Sequence, residues 1–214
     1  MIPSRHPSVG ILDQVASASD LDLMIALEGL TNDRLRTEAG NLHRLPKSEW
    51  VLGKPFASVI MAAFCHARPS GGRFNSRDRG AWYASRTLQT SQAEIAYHRT
   101  KELAEVGVFE TFVQMRAYYS DFVGEVYDIR PENAENEPYH QADSYSQSQT
   151  LAVEGLADGG DGIAYRSVRH QSGECLACFR PKLVENVRPG PYYEFRWEGF
   201  PTPRIRALRT GATA

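Results

Sequence analysis

The first apolar pattern in the chain has helical spacing. Between Ile11 and about Leu35, apolar residues recur every three or four positions, and Ser19 or Asp20 is suited to cap a second helix there. Residues 1–10 contain two prolines and a glycine, a composition typical of a loose arm. The pattern predicts an N-terminal helical segment over residues 1–48, without candidate chemistry, laid against a main domain over residues 49–200.

Short apolar runs and polar loops alternate at the start of the main domain. The apolar run Phe56–His66 is either a buried strand or a short helix, and its length and the turn that follows it favour a strand. A loop rich in Gly, Ser, Arg and Asp covers residues 67–80 and leads into a short strand at Ala81–Ser85. A helix is predicted over Gln92–Leu103, with Thr90 or Ser91 as its N-cap.

The middle of the chain alternates between apolar and polar residues. The alternation runs from Val108 to Tyr119, a second apolar stretch covers Phe122–Ile129, and Ser120-Asp121 between them is suited to a turn, so two paired strands are predicted. Arg130–Asp143 is polar and acidic and is interpreted as a loop or a mobile excursion, which could act as a lid. A short helix is predicted over Ser146–Leu156.

The last third of the chain is dominated by strand patterns. Gly162–Arg169 and Gly173–Pro181 predict a strand, a turn and a second strand, and the alternating aromatic residues from Tyr193 to Trp197 predict a final one. Arg204–Arg209 is interpreted as a basic stretch within a C-terminal tail over residues 201–214. Strands and helices in this order predict an α+β fold with mixed or antiparallel sheets and flanking helices.

Composition narrows the class of protein. The chain has 214 residues, 42% of them hydrophobic and 23% charged, with a formal net charge of -2. A chain of this length can form one domain with its own hydrophobic core. Its charge balance lacks the excess of basic residues that is typical of a dedicated nucleic-acid binder. Neither a membrane span nor a signal peptide is predicted, and the three cysteines do not form a disulfide framework, so a cytoplasmic protein is expected. Cys175 and Cys178 lie in an apolar strand pattern and are interpreted as buried thiols.

Candidate chemistry begins at Gly71-Gly72-Arg73-Phe74-Asn75. Paired glycines let the backbone approach a ligand closely, and the guanidinium that follows offers a planar fork for a phosphate or carboxylate, so an anion pocket is one interpretation. The alternative is an ordinary turn before a strand, followed by a solvated arginine.

Glu94, Tyr83 and Ser167 also allow two interpretations each. Glu94 is expected near the start of its helix, where acids commonly only cap, but its mostly apolar neighbours suggest a partly buried carboxylate in need of a partner. Tyr83 is either a core residue or a flat surface for a ligand. Ser167 is either a small strand residue chosen for packing or a hydroxyl aimed at a site.

Taken together, these stretches resemble the RES-domain family, named for an Arg, a Glu and a Ser. The match is to Gly-Gly-Arg-Phe-Asn, the Trp-Tyr-Ala strand, the helical Ala-Glu and the Ser167 strand, so the three residues correspond to Arg73, Glu94 and Ser167. It extends from about Val59 to Val184. The resemblance implies a fold related to ADP-ribosyltransferase toxins, NAD+ as the substrate, no metal, and the role of toxin in a bacterial toxin–antitoxin pair.

The resemblance also suggests a role for each site residue. Glu94 would stabilise positive charge on the ribose as nicotinamide leaves, and Arg73 would hold the pyrophosphate with donors from Gly72 and Asn75. Tyr83 would stack on the nicotinamide.

Ser167 would orient a ribose or an amide. It is not expected to act as a nucleophile, because His170, an odd number of residues along the same strand, should face the opposite way.

The acceptor of ADP-ribose stays open at this point: water, phosphate and a protein side chain are all compatible with the sequence. The alternatives to an NAD+-consuming enzyme are a ribonuclease-like toxin acting on nucleic acid and a non-catalytic binding module. The expected partner is a cognate antitoxin, a helical DNA-binding protein that blocks the pocket, and no direct contact with nucleic acid or membrane is expected.

Overall fold

The computed structural model describes residues 1–4, 10–28 and 42–208, without the side chains of residues 24–28. The helices are α1 (Ala18–Glu28), α2 (Ala57–Cys65), α3 (Leu88–Val106) and α4 (Ser146–Ala157). The strands are β1 (Ile2–Pro3), β2 (Trp82–Ser85), β3 (Glu110–Phe122), β4 (Val126–Asp128), β5 (Gly162–Arg166), β6 (Glu174–Cys178), β7 (Val184–Glu198) and β8 (Arg204–Leu208). The predicted α+β class is confirmed, and the helical positions predicted between residues 29 and 35 lie outside the described residues.

The first sheet is antiparallel, in the order β1-β3-β7-β8. Alternation along β3 and β7 places one set of side chains on a face that packs against α3, and this face buries Met115, Tyr193, Phe195 and Trp197. The indole nitrogen of Trp197 donates to the Thr100 hydroxyl of α3 at 3.0 Å. The sheet thereby fixes the helix that carries Glu94.

The second sheet has the order β2-β6-β5-β4, in which only β4 and β5 run parallel. Ile163 of β5 and Ala177 of β6 are fully buried, in a core that also contains Phe74 and the partly buried leucines of α4. This core supports the glycine turn and β5, the strand that leads to Ser167.

The strand prediction for Phe56–His66 is wrong, because the run forms helix α2. Six of its nine residues are buried, since the N-terminal segment covers it on one side and the second sheet covers it on the other. A segment that is apolar on every face shows no periodicity that separates a helix from a strand. The length of the apolar run therefore did not distinguish a strand from a helix.

The predicted turn at Ser120-Asp121 is also wrong. β3 continues through these residues to Phe122 and pairs along its length with β7, with irregular register near Tyr118 and Asp121. The Asp121 carboxylate holds Arg188 of the neighbouring strand at 3.1 Å, so this polar pair is a cross-strand contact. The stretch after it forms β4, which belongs to the second sheet and does not pair with β3.

Both ends of the chain contribute strands where loose segments were predicted. Ile2–Pro3 pairs with β3, and Arg204–Leu208 pairs with β7, which corrects the predicted arm and tail over those residues. In β8, Ile205 packs against the core while Arg206, on the other face, reaches Glu194 at 2.9 Å. Arginine and apolar residues alternate from Arg204 to Ile205 and Arg206 to Ala207, as in a strand, although the basic composition of the segment led to the prediction of a tail. None of the helices described here is both long and apolar enough to cross a bilayer.

Candidate active site

The glycine turn is a tight hairpin that presents Arg73. Gly72 and Asn75 form an isolated antiparallel bridge, and the amide of Gly72 donates to the Asn75 carbonyl at 3.1 Å. A Cβ at Gly72 would lie 2.7 Å from the Tyr83 hydroxyl and would also meet the Asn75 side chain. No larger residue fits at Gly72, so the glycine is required by close approach within the protein.

Arg73 is a nearly buried cation, with 8% of its surface exposed. Its Nη1 donates to the carbonyls of Tyr139 at 3.0 Å and Gln141 at 2.8 Å, and its guanidinium carbon lies 4.6 Å from the ring centre of Tyr145. Among the residues that the structure describes, no carboxylate forms an ion pair with it. A buried charge held only by neutral groups favours an anionic ligand.

The side chains of Asn75 and Tyr83 stabilise the glycine turn through hydrogen bonds. The Asn75 amide donates to the carbonyls of Ser76 and Arg79, and the Tyr83 hydroxyl donates to Asn75 Oδ1 at 2.9 Å while accepting from the Phe74 amide at 2.8 Å. Burial of this hydroxyl raises the pKa of Tyr83. The polar atoms of both side chains are therefore used inside the loop, so the donor predicted on Asn75 is already engaged. Tyr83 as a whole residue is 37% exposed.

Glu94 lies in the second turn of α3. The helix begins at Leu88, because the Thr87 side chain accepts from the Thr90 amide and acts as the N-cap, which corrects the start predicted at Gln92. The carboxylate is therefore further from the positive helix end than predicted. Its Oε1 accepts a hydrogen bond from the Ser167 hydroxyl at 2.6 Å.

Ser167 lies immediately after β5, at the start of the turn toward β6. Its oxygen accepts from the backbone amides of Arg169 at 3.1 Å and His170 at 3.0 Å while its proton is donated to Glu94. The hydroxyl thus has no capacity left for a ribose, and Ser167 is absent from the residues that line the cavity. The His170 ring contacts Thr90 at 2.9 Å, so it does not activate the serine.

A cavity of about 580 Å³ lies between the two sheets and α3. It brings together most of the predicted site residues: Gly72, Arg73, Asn75, Tyr83 and Glu94. Further along α3, the Glu102 carboxylate forms ion pairs with two guanidiniums, those of Arg68 at 2.7 Å and Arg99 at 2.6 Å. Among the residues described, the cavity is thus lined by three carboxylates, Glu94, Glu102 and Glu105, and by four cationic side chains, Arg68, Arg73, Arg99 and Lys101.

The segment predicted as a loop or a mobile excursion is attached to the site. Residues 137–140 form a short 3-10 helix, and the carbonyls that follow it hold both Arg73 and Arg169. His140 is buried, and its Nε2 accepts from the Arg166 amide at 3.2 Å while Nδ1 donates to the Asn136 carbonyl. The segment is thus hydrogen-bonded both to the glycine turn and to the end of β5.

Several cavity residues escaped sequence reasoning. The ring of Tyr145 stacks on the Arg73 guanidinium. The sequence did not indicate this contact, because Tyr145 lies in a polar stretch far from Arg73 along the chain. Tyr165 lies two residues before Ser167 on β5, so strand periodicity could have indicated it. His98 lies one helical turn after Glu94, a spacing that was visible although an isolated histidine there is more often structural.

Cys175 and Cys178 are free and buried, as predicted, and burial raises the pKa of Cys175 to about 11. Within the described ranges, no group of three or more His, Cys, Asp or Glu side chains is placed to hold a metal ion.

The fold and the site define an α+β domain in which a glycine-turn arginine and a helix-borne glutamate face one cleft between two sheets. The family model of the RES domain matches residues 41–198, most of the chain, and the protein belongs to this family. RES domains are associated with NAD+-utilising enzymes. The chain is also similar to an uncharacterised protein of Sinorhizobium fredii, y4oC, with 23% identity over 201 residues that cover 93% of this chain and 82% of the relative.

Proposed function

We propose that this RES-domain protein cleaves the bond between nicotinamide and ribose in NAD+ and transfers ADP-ribose to an acceptor. One observation carries the proposal: Glu94, held by Ser167, and Arg73, a nearly buried cation without a carboxylate partner among the described residues, line the same cavity. A dinucleotide with an anionic pyrophosphate and a ribose that becomes cationic during cleavage needs both charges.

The chemistry assigns one task to each side chain. As the C–N bond breaks, its electron pair stays on the nicotinamide nitrogen, which becomes neutral, while positive charge grows on the ribose. The Glu94 carboxylate stabilises that charge, with Oε1 fixed by the Ser167 hydroxyl at 2.6 Å. The free edge of the Arg73 guanidinium binds the pyrophosphate, since its Nη1 is occupied by the carbonyls of Tyr139 and Gln141.

Tyr83 supplies a surface for the nicotinamide ring. Its exposed face lines the cavity while its hydroxyl is fixed below. A pyridinium over this face is attracted more strongly than neutral nicotinamide, so the contact weakens as the bond breaks and favours release. Ser167 acts as a positioning residue through Glu94, since its own hydrogen bonds are all used.

The test is release of free nicotinamide from NAD+ by purified protein, with water, phosphate or cell extract supplying the acceptor. Glu94→Gln keeps the shape and removes the charge, and we expect nicotinamide release to fall by about 10²- to 10³-fold. Glu110→Gln makes the same chemical change at an exposed strand position outside the cavity and is the matched control. Release by Glu94→Gln at the control rate, or no release by the unaltered protein with any acceptor, would reject the proposal.

We further propose that the protein is the toxin of a toxin–antitoxin pair, acting in the cytoplasm, and that its partner is a helical DNA-binding antitoxin that covers the cleft. Depletion of NAD+, or modification of a protein acceptor, would inhibit growth. Induced expression in a bacterial host should therefore arrest growth, whereas Glu94→Gln, expressed to the same level, should not. Equal arrest by both proteins would show that toxicity does not depend on this chemistry.

A further inference from the structure

His98 is a residue of the same cavity whose ring makes no hydrogen bond within the described part of the chain. It lies on α3 one turn beyond Glu94, on the same helix face, and lines the same cavity. Its ring contacts the neighbouring Tyr97 ring at 5.3 Å, and within the described residues neither of its nitrogens has a hydrogen bond. A half-buried imidazole that faces a cavity with both nitrogens unused is placed to bind a ligand or a water molecule.

The surroundings keep this imidazole neutral. Arg68 and Arg73 face it from the loop before β2, Arg169 faces it from the turn after β5, and Glu102 on its own helix is an opposing charge. Burial, with these guanidiniums, lowers the pKa of His98 to about 4. At neutral pH the ring therefore offers one lone pair and one N–H to the cavity.

The separation between His98 and Glu94 suits two different tasks. Four residues of helix rise about 6 Å, which is roughly the width of a sugar ring. Glu94 is assigned to the ribose cation, and Ser167 fixes the orientation of its carboxylate through Oε1. His98 lies one turn away on the same helix face, about one sugar width from Glu94, and it has a lone pair to receive a proton.

We propose that His98 is the general base that activates the acceptor water of this reaction, an inference that rests on the proposed cleavage of NAD+. The water oxygen forms a bond to the ribose carbon that nicotinamide has left. One water proton passes to the free ring nitrogen of His98, and the product is neutral at the new hydroxyl. The protonated imidazole then returns its proton to solvent through the cavity.

The experiment compares two acceptors in the same protein. Water must lose a proton when it attacks, whereas azide, already an anion, needs no base. In His98→Gln, which keeps hydrogen bonding but cannot take the proton, we expect formation of ADP-ribose to fall by about 10²-fold. Formation of ADP-ribosyl azide and the affinity for NAD+ should stay at the level of the unaltered protein. His43→Gln, at an exposed histidine outside the cavity, is the matched control.

Each outcome of this comparison either supports or rejects the role of His98. Equal loss of hydrolysis and azide transfer, or unchanged hydrolysis, in a folded His98→Gln protein would overturn the role of His98 and leave the cleavage of NAD+ intact. Failure of the unaltered protein to release nicotinamide with either acceptor would reject the proposed function itself, and the inference with it. If His98→Gln does not fold, His98→Asn serves the same comparison.

Discussion

The Ser167 hydroxyl donates to Oε1 of Glu94 at 2.6 Å, which joins the turn after β5 to the middle of α3. The serine is itself fixed by two backbone amides of its turn. Since only one carboxylate oxygen is bonded in this way among the described contacts, the other is left for a ligand. The R, E and S of the family name therefore have different positions here: the arginine and the glutamate line the cavity, and the serine does not line it but bonds the glutamate.

Ser167→Ala should lower catalysis more than binding. The carboxylate would lose its fixed orientation, so kcat for nicotinamide release should fall by about 10-fold or more while KM for NAD+ changes little. Two backbone amides also lose an acceptor, which should reduce the free energy of unfolding by about 1–3 kcal/mol. Steady-state kinetics and chemical denaturation measure the two effects. A raised KM with unchanged kcat would indicate direct contact between Ser167 and the substrate.

Arg73→Lys should behave as a severe change although it preserves the charge. A lysine offers no planar fork, so it cannot hold the carbonyls of Tyr139 and Gln141, stack on Tyr145 and reach a pyrophosphate at the same time. We expect the affinity for NAD+, measured by calorimetry, to fall at least 10-fold, which is about 1.4 kcal/mol.

The matched control is Arg77→Lys, at an arginine in the same loop whose side chain is mostly exposed. An affinity for NAD+ in Arg73→Lys equal to that of this control would contradict the anion-binding role of Arg73.

A strand that is buried on one face leaves a two-residue pattern of apolar and polar positions in the sequence. The pattern located the aromatic residues of β7 and the β5–turn–β6 unit, since the inner faces of both sheets are apolar. It failed for α2, which is covered on several sides, and for the Ser120-Asp121 step, where a cross-strand ion pair places a polar residue inside a strand. These errors come from tertiary contacts that local sequence does not record.

The candidate site likewise contains residues that short motifs indicated and contacts that only the tertiary structure creates. Short motifs indicated Arg73 and Glu94, but nothing local indicated that the carbonyls of residues 139 and 141 would hold the guanidinium or that Tyr145 would stack on it. The role of the Ser167 hydroxyl also depended on the fold, because its three partners become apparent only when α3 meets the turn after β5.

Phe74→Ala should test how far the site depends on its core. Phe74 is fully buried beside Arg73, and its ring centre lies 4.7 Å from that of Tyr165. Truncation leaves a cavity under the turn, so we expect the free energy of unfolding to fall by about 3–5 kcal/mol. Phe200→Ala, at a phenylalanine that is 71% exposed, should change it by less than about 0.5 kcal/mol. Urea denaturation of both variants makes the comparison, and equal losses would show that the turn is not anchored by this ring.

Stability should decrease in mildly acidic solution because of His98. An unfolded chain protonates this histidine as the pH falls through about 6.5, whereas burial and the guanidiniums of Arg68, Arg169 and Arg73 keep the pKa in the folded state at about 4, Glu102 being the opposing charge. Between these values the unfolded state binds more protons, so the free energy of unfolding rises with pH across this window and is lowest at its acidic end. His98→Gln removes this contribution and should reduce the slope, while His140, whose pKa is also lowered by burial, retains its own share. Urea denaturation of the unaltered protein, His98→Gln and the exposed control His43→Gln at several pH values between about 4 and 7 measures the slopes. If the slope for His98→Gln equals that of the unaltered protein, His98 is not held neutral in the folded state, and its role as a base at neutral pH loses its electrostatic support.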